Sequence, residues 1–157
     1  FADGDAVAGG DEKFARLSDG RFGFARHLKT MDECEDDFVA VAEMFRHVPY
    51  YWGGKSVQGL DCSGLVQVAL EACGIACPRD SDMQERDLGV ELRINDLGGL
   101  KRGDLVFWDG HAGIMTGGAT LLHANGHHML TVVEPLREAV DRIARSHGQV
   151  TSIKRLQ

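Results

Sequence analysis

Cys62 is the residue of this chain best placed for covalent chemistry. It stands in Gly59-Leu60-Asp61-Cys62-Ser63-Gly64-Leu65-Val66, where a loop gives way to apolar residues at helical spacing. Leu65, Val66, Ala69, Leu70 and Cys73 form that stripe and Gly74 stops it. Asp61 is the natural N-cap, so Cys62 falls in the first turn, among backbone N–H groups that lack helical partners. Negative charge is favoured there, and the thiol is expected to ionise more readily than a free one, whose pKa is about 8.5. A cysteine nucleophile also needs an imidazole to share its proton and a third group to orient that imidazole. His111 opens one predicted strand and His123 ends the next, across a Gly117-Gly118 turn. Counted about that turn, the two are close to cross-strand partners, so one ring is expected to hydrogen-bond the other. Each residue alone has a structural reading, a small buried hydrophobe for the cysteine and satisfied core polar groups for the histidines. Their convergence favours catalysis.

The elements that must hold these residues follow in order. Alternation on both sides of Ser18-Asp19-Gly20, from Lys13-Phe14-Ala15-Arg16-Leu17 to Arg21-Phe22-Gly23-Phe24-Ala25, predicts a hairpin. Residues 1–31 are therefore read as a separate N-terminal segment and 32–157 as the main domain. Asp32 to His47 is expected to be a helix capped by Asp32 or Glu33, with Phe38, Val41, Ala42 and Phe45 inside and Pro49 at its end. An aromatic and glycine run, Pro49-Tyr50-Tyr51-Trp52-Gly53-Gly54, leads toward Cys62. A short helix starts near Asp80 or Ser81, and Arg93 to Lys101 is loop. Strands are predicted at Asp104–Trp108, His111–Met115, Thr120–Ala124, His128–Val133 and Val150–Leu156, with an amphipathic helix over Leu136–Ser146. Helices first and a meander of strands after make an α+β fold with an antiparallel sheet.

The 157 residues suffice for one domain with a full core, 43% hydrophobic and 26% charged. A formal charge of −7 argues against a nucleic-acid partner. No apolar run approaches the roughly 18 residues of a membrane span. The opening Phe1-Ala2-Asp3-Gly4-Asp5 reads as a processed or trimmed end, so localisation stays open between the periplasm or cell envelope and the cytoplasm. Cys34, Cys62, Cys73 and Cys77 fit neither a paired zinc motif nor a disulfide framework, which leaves a single disulfide among the three other than Cys62 open. Cys73 and Cys77 read as packing residues. Cys62, His111, His123, His127 and His128 are the rival zinc ligands, but only His127-His128 are close in sequence, and neighbours on a strand point to opposite faces. No metal and no cofactor is expected.

The motifs now on the page resemble those of the NlpC/P60 cysteine peptidases. Asp61-Cys62-Ser63-Gly64, Gly103-Asp104-Leu105-Val106-Phe107-Trp108 with Gly110-His111-Ala112-Gly113-Ile114, and Leu122-His123-Ala124 look like the family's three motifs. Pro49-Tyr50-Tyr51-Trp52-Gly53-Gly54 and Pro78-Arg79-Asp80-Ser81 with Gln84 match further landmarks, over roughly Asp36 to Leu136. The resemblance implies a papain-like fold, with the nucleophile's helix packed on an antiparallel sheet. It implies hydrolysis of peptidoglycan stem peptides, typically at the bond from D-γ-glutamate to meso-diaminopimelate or L-lysine. Carried over by position, Cys62 matches the nucleophile, His111 the base and His123 the residue orienting it. Tyr50 matches a tyrosine that binds substrate or the developing oxyanion. Asp61 and Ser63 match residues that hold an L-alanine ammonium in members cleaving free stem peptides, while Arg79 and Gln84 support the fold. Ala112 departs from the Val or Ile of many relatives. The N-terminal hairpin resembles the closing strands of a bacterial SH3-like barrel. Two alternatives stay open: a catalytically silent wall-binding module, and an amidase or acyltransferase on the same scaffold.

Overall fold

A computed structural model describes residues 13–30, 33–93 and 97–157. The chain divides into two compact units, Phe1–Cys34 and Glu35–Gln157, a boundary three residues beyond the expected one. In the first, β1 (Phe14–Arg16) pairs antiparallel with β2 (Phe22–Phe24) and a short 3₁₀ turn follows at Ala25–His27. Gly20 sits at φ +84° in the connecting turn, a backbone state that favours glycine.

The second unit opens with α1 (Phe38–Glu43), much shorter than the expected helix over Asp32 to His47. Its cap is Asp37, whose carboxylate accepts from the N–H groups of Val39 and Ala40. Asp32 lies outside the described residues, and Glu33 precedes the helix and bonds the N–H of Thr30 through its side chain. His47, at φ +70°, turns the chain back before Pro49 is reached, and its N–H meets the carbonyl of Thr131. The helical stripe from Phe38 to Phe45 was legible; the late start was not, because the acidic run Glu33-Cys34-Glu35-Asp36-Asp37 offers several equally good caps.

Two short strands, β3 (Lys55–Ser56) and β4 (Gly59–Leu60), form a hairpin that had no alternating pattern to announce it. Then come α2 (Cys62–Ala72), α3 (Ser81–Asp87) and β5 (Val90–Glu91). The rest is β6 (Leu105–Trp108), β7 (His111–Met115), β8 (Thr120–Asn125), β9 (Leu130–Pro135), α4 (Leu136–His147) and β10 (Ser152–Arg155). One six-stranded sheet has the order β5-β10-β6-β7-β8-β9, and its pairings are antiparallel. Among the described residues no helix is long and apolar enough to cross a membrane.

Alternation along the strands gives the sheet two apolar faces. One carries Leu105, Phe107, Ala112, Ile114 and Leu122 and packs with Val41 of α1 and with Leu65, Val66 and Leu70 of α2. The other carries Val106, Trp108, Met115 and Leu121 and packs with Leu136, Ala139 and Ile143 of α4. Asp104, wholly buried at the start of β6, takes a two-point ion pair from Arg155 at 2.6 and 2.7 Å and the N–H of Lys101 at 2.8 Å. Removing one partner of a buried pair typically costs 3–5 kcal/mol, and Arg155 retains access to water, so Asp104→Ala is expected to lower stability by about 2–3 kcal/mol in urea unfolding. An unchanged midpoint would mean that β10 is held to β6 without this contact.

Candidate active site

Cys62 is the first residue of α2. The carboxylate of Asp61 caps the helix by accepting the Gly64 N–H at 2.7 Å and reaches back to the Gly53 N–H at 2.8 Å. Arg79 grips the same carboxylate with both terminal nitrogens, at 3.0 and 2.6 Å, and donates to Ser63 Oγ at 2.9 Å. Gln84, fully buried, donates from Nε2 to the carbonyls of Ser63 and Pro78, both at 2.9 Å. Arg79 and Gln84 thus brace the turn that presents the thiol. Gly64 must be glycine because a Cβ there would stand 2.3 Å from the Gly54 carbonyl oxygen. Both oxygens of Asp61 are engaged, so its carboxylate builds the site, and no acceptor capacity is left over for an ammonium in this arrangement. Ser63 Oγ is likewise occupied, by Arg79 and Asp61.

Two cavities meet at Cys62. One is lined by Tyr50, Trp52, Asp61, Ser63, Arg79 and Ser81 among others. The second has Tyr50, His111, Asn125, His127, Arg142 and His147 in its wall, again with Cys62. Tyr50 borders both and is fixed by its own backbone, which donates to the Met129 carbonyl at 2.9 Å and bridges to Leu60.

His111 and His123 meet, though not by the register that the sequence suggests. Ile114 pairs with Leu122 and Met115 with Leu121, so the turn is centred later than Gly117 and His123 falls diagonally from His111 instead of opposite it. Diagonal neighbours share a face and lie within reach of long side chains. His111 Nε2 is 2.8 Å from His123 Nδ1, with both rings buried. That bond leaves Nδ1 of His111 unengaged by His123.

Two polar residues were missed. Glu134 Oε1 lies 2.6 Å from His123 Nε2, and Arg142 makes a short ion pair to the same oxygen. Glu134 pairs with Leu121 across β8 and β9, which places it diagonal to His123 on the same face. The signal was present, a glutamate closing the apolar run Leu130-Thr131-Val132-Val133, but the predicted strand stopped at Val133.

Burial pushes the Cys62 thiol above its ordinary value and Asp61 adds to the rise; the N–H groups of Ala112, Ser63 and Cys62 itself pull the other way without prevailing. The expectation that a thiol at the helix start ionises more readily than a free one is corrected by that balance. Burial takes His111 well below the ordinary histidine value, helped by the charges of His123, His147 and Arg142. His123 is lowered as well, chiefly by burial, with Glu134 opposing. A neutral thiol beside a neutral imidazole is the resting arrangement these shifts favour. Burial also raises the Tyr50 hydroxyl, with Cys62 and Asp61 next, which keeps it a hydrogen-bond donor.

His127 and His128 sit in the turn between β8 and β9, not on a strand, with their rings perpendicular at 4.7 Å. Among the described residues no group of three or more His, Cys, Asp or Glu is arranged to hold a metal. None of the four cysteines is in a disulfide, and Cys73 and Cys77 pack against the core beside α2.

The NlpC/P60 family signature matches residues 47–145. A γ-D-glutamyl-L-lysine dipeptidyl-peptidase of Bacillus subtilis is 31% identical over 139 residues, covering 81% of this chain and 44% of its own. The chain therefore spans less than half the length of that curated relative. The structure of the peptidoglycan hydrolase RipB from Mycobacterium tuberculosis matches 77% of this chain and 63% of its own, with 29% identity and a TM-score of 0.62. An NlpC/P60 family protein from Bacillus cereus superposes over 90% of this chain and 49% of its own, with a TM-score of 0.70 and 23% identity, a likeness of fold. By the signature that covers more than half of its residues, the chain belongs to the NlpC/P60 family.

Proposed function

We propose that the chain is a cysteine peptidase that hydrolyses the amide bond between D-γ-glutamate and the diamino acid, meso-diaminopimelate or lysine, of peptidoglycan stem peptides. The observation that carries this reading is that His111, which lines a cavity together with Cys62, is held from behind by a buried 2.8 Å bond to His123. A thiol, an imidazole and a group that orients the imidazole are the parts of amide hydrolysis through an acyl-enzyme. The activities of the relatives, a γ-D-glutamyl-L-lysine dipeptidyl-peptidase and a peptidoglycan hydrolase, support the substrate class.

In the first half-reaction the thiol proton passes to His111 Nδ1 as Sγ attacks the scissile carbonyl. The oxyanion is held by the Cys62 backbone N–H at the head of α2, with help from the Tyr50 hydroxyl. The C–N bond then breaks, His111 returns the proton to the leaving amine, and a thioester remains on Cys62. In the second half-reaction His111 takes a proton from water, the hydroxide attacks the thioester, and the thiol is regenerated.

Digesting defined muropeptides, with free and with blocked N-termini, and weighing the products is the direct test. New termini at D-γ-glutamate and at the diamino acid amine support the reading. A glutamyl amide of an added amine would instead mean acyl transfer, and binding without cleavage a silent module. The free-enzyme pH profile is a second test. Because burial lowers His111, protonation should switch the base off only below the ordinary histidine value of 6.5, so the acid limb of kcat/KM is expected beneath it. An acid limb at or above that value would contradict the resting state described.

A further inference from the structure

The two-histidine pair leaves a question of direction, since each neutral ring carries one proton and one lone pair. The structure answers it one residue further out. We propose that Glu134, clamped by Arg142, is a positioning residue that fixes the tautomer of His123 and through it turns the bare Nδ1 of His111 toward the thiol. The inference rests on the thiol-hydrolase reading above for its consequence and on the hydrogen-bond chain for its content.

The hydrogen-bond chain begins at Glu134. Its carboxylate meets the Arg142 guanidinium and His123 Nε2, at 2.6 Å for the latter. Burial alone would raise this carboxyl, but the His123 hydrogen bond and the Arg142 charge help hold it below the usual range, so it is an ionised acceptor. Nε2 of His123 must then bear the hydrogen, since a lone pair facing a carboxylate at that distance would be repelled. Asn125 Nδ2 also lies 3.1 Å from Nε2, but a protonated Nε2 has nothing to offer a second donor. The orientation of Asn125 is set elsewhere, by its Oδ1, which accepts the His128 N–H at 2.8 Å. With its hydrogen on Nε2, neutral His123 presents a bare Nδ1, which can only accept. His111 Nε2 must therefore donate across the 2.8 Å bond, and the lone pair of neutral His111 is left on Nδ1. That nitrogen is the base the thiol requires. Without the carboxylate either tautomer of the pair is open, and one of the two points an N–H at the sulfur.

Charge works in the same direction. When His111 takes the thiol proton, positive charge builds on a buried ring that His147, Arg142 and His123 already disfavour. Glu134 is the anion in hydrogen-bond contact with that pair, and Asp61 is the anion that acts on Cys62. His128 adds to the positive side at His123.

Three measurements test this on the intact chain. Nitrogen-15 correlation spectra of the wild-type imidazoles should show neutral His123 with its hydrogen on Nε2; a hydrogen on Nδ1 would overturn the proposal. Glu134→Gln should lower kcat by about 10–100-fold with little change in KM, the usual penalty for losing an outer partner that orients a working histidine. Removing an anion makes protons leave more easily, so this variant should also move the onset of iodoacetamide alkylation at Cys62 to lower pH. Arg142→Met removes a cation from the same rings and should move that onset to higher pH. A scaffold role would not give shifts of opposite sign; equal shifts, or none, would overturn the assignment. Should Glu134→Gln fail to fold, the wild-type tautomer and the Arg142→Met shift still decide. Alkylation and spectra need no substrate, so absence of stem-peptide cleavage with these signatures intact would count against the proposed function alone.

Discussion

Cys62→Ala is expected to lower turnover of a γ-D-glutamyl-diamino acid peptide by about 10⁴-fold or more, because the covalent route is removed outright. Binding should survive. The cavity walls belong to Tyr50, Trp52, Arg79 and Ser81 on one side and to His127, Arg142 and His147 on the other, and none depends on the sulfur. Alanine is slightly smaller than cysteine and as good a helix former, and the cap from Asp61 to the Gly64 N–H does not involve residue 62. The loss should therefore fall on kcat, with peptide affinity by calorimetry near that of the wild type. Tyr50→Phe offers the contrast, since losing one oxyanion donor commonly costs about 10²–10³-fold. Residual turnover in Tyr50→Phe and none in Cys62→Ala separates a nucleophile from a helper. Comparable rates in both would reject the assignment of Cys62.

His111→Gln is expected to cost about 10³-fold or more in kcat/KM, since the step loses both its base and the acid that protonates the leaving amine. The variant keeps a polar side chain in the buried position and can still meet His123, so the sheet is preserved. Its informative readout is the pH profile. The wild-type acid limb, set by a ring that burial has driven well down, should vanish, and what rate remains should climb with pH as the Cys62 thiol ionises. Because burial raises that thiol, the climb should begin above the usual thiol range. A His111→Gln enzyme with an unchanged bell would show that another group holds the proton, and His147, tilted toward His111 with ring centroids 6.0 Å apart, would be the first to test.

How far the site was legible depends on the range of the interaction that decides each part. The place of Cys62 could be read because two local facts agree there: an acidic cap and a helical stripe behind it. His111 could be read because an Asp-Gly turn marks the start of its strand. The contact between His111 and His123 was expected for an inexact reason, since the true register is shifted and the rings meet on the diagonal. Side-chain length absorbed an error that the backbone count did not. Asp61 was read as a cap and is one, but its engagement by Arg79 joins residues far apart in sequence, and nothing near either residue announces it. The thiol's behaviour was misjudged for a similar reason. A helix start is a local feature, whereas burial is set by the whole fold, and here burial prevails. Glu134 and Arg142 were missed because their meaning exists only once β9 and α4 lie beside His123. Strands β3, β4 and β5 stayed hidden because strands of two residues carry no period.

The most direct test is to mix the enzyme with L-alanyl-γ-D-glutamyl-meso-diaminopimelate, quench within a single turnover and determine the mass of each cysteine peptide. The expected result is an L-alanyl-γ-D-glutamyl thioester on Cys62, formed as free diaminopimelate appears and lost as the dipeptide acid is released. Cleavage with no adduct at Cys62, or an adduct on Cys34, Cys73 or Cys77 in its place, would contradict nucleophilic catalysis at the head of α2.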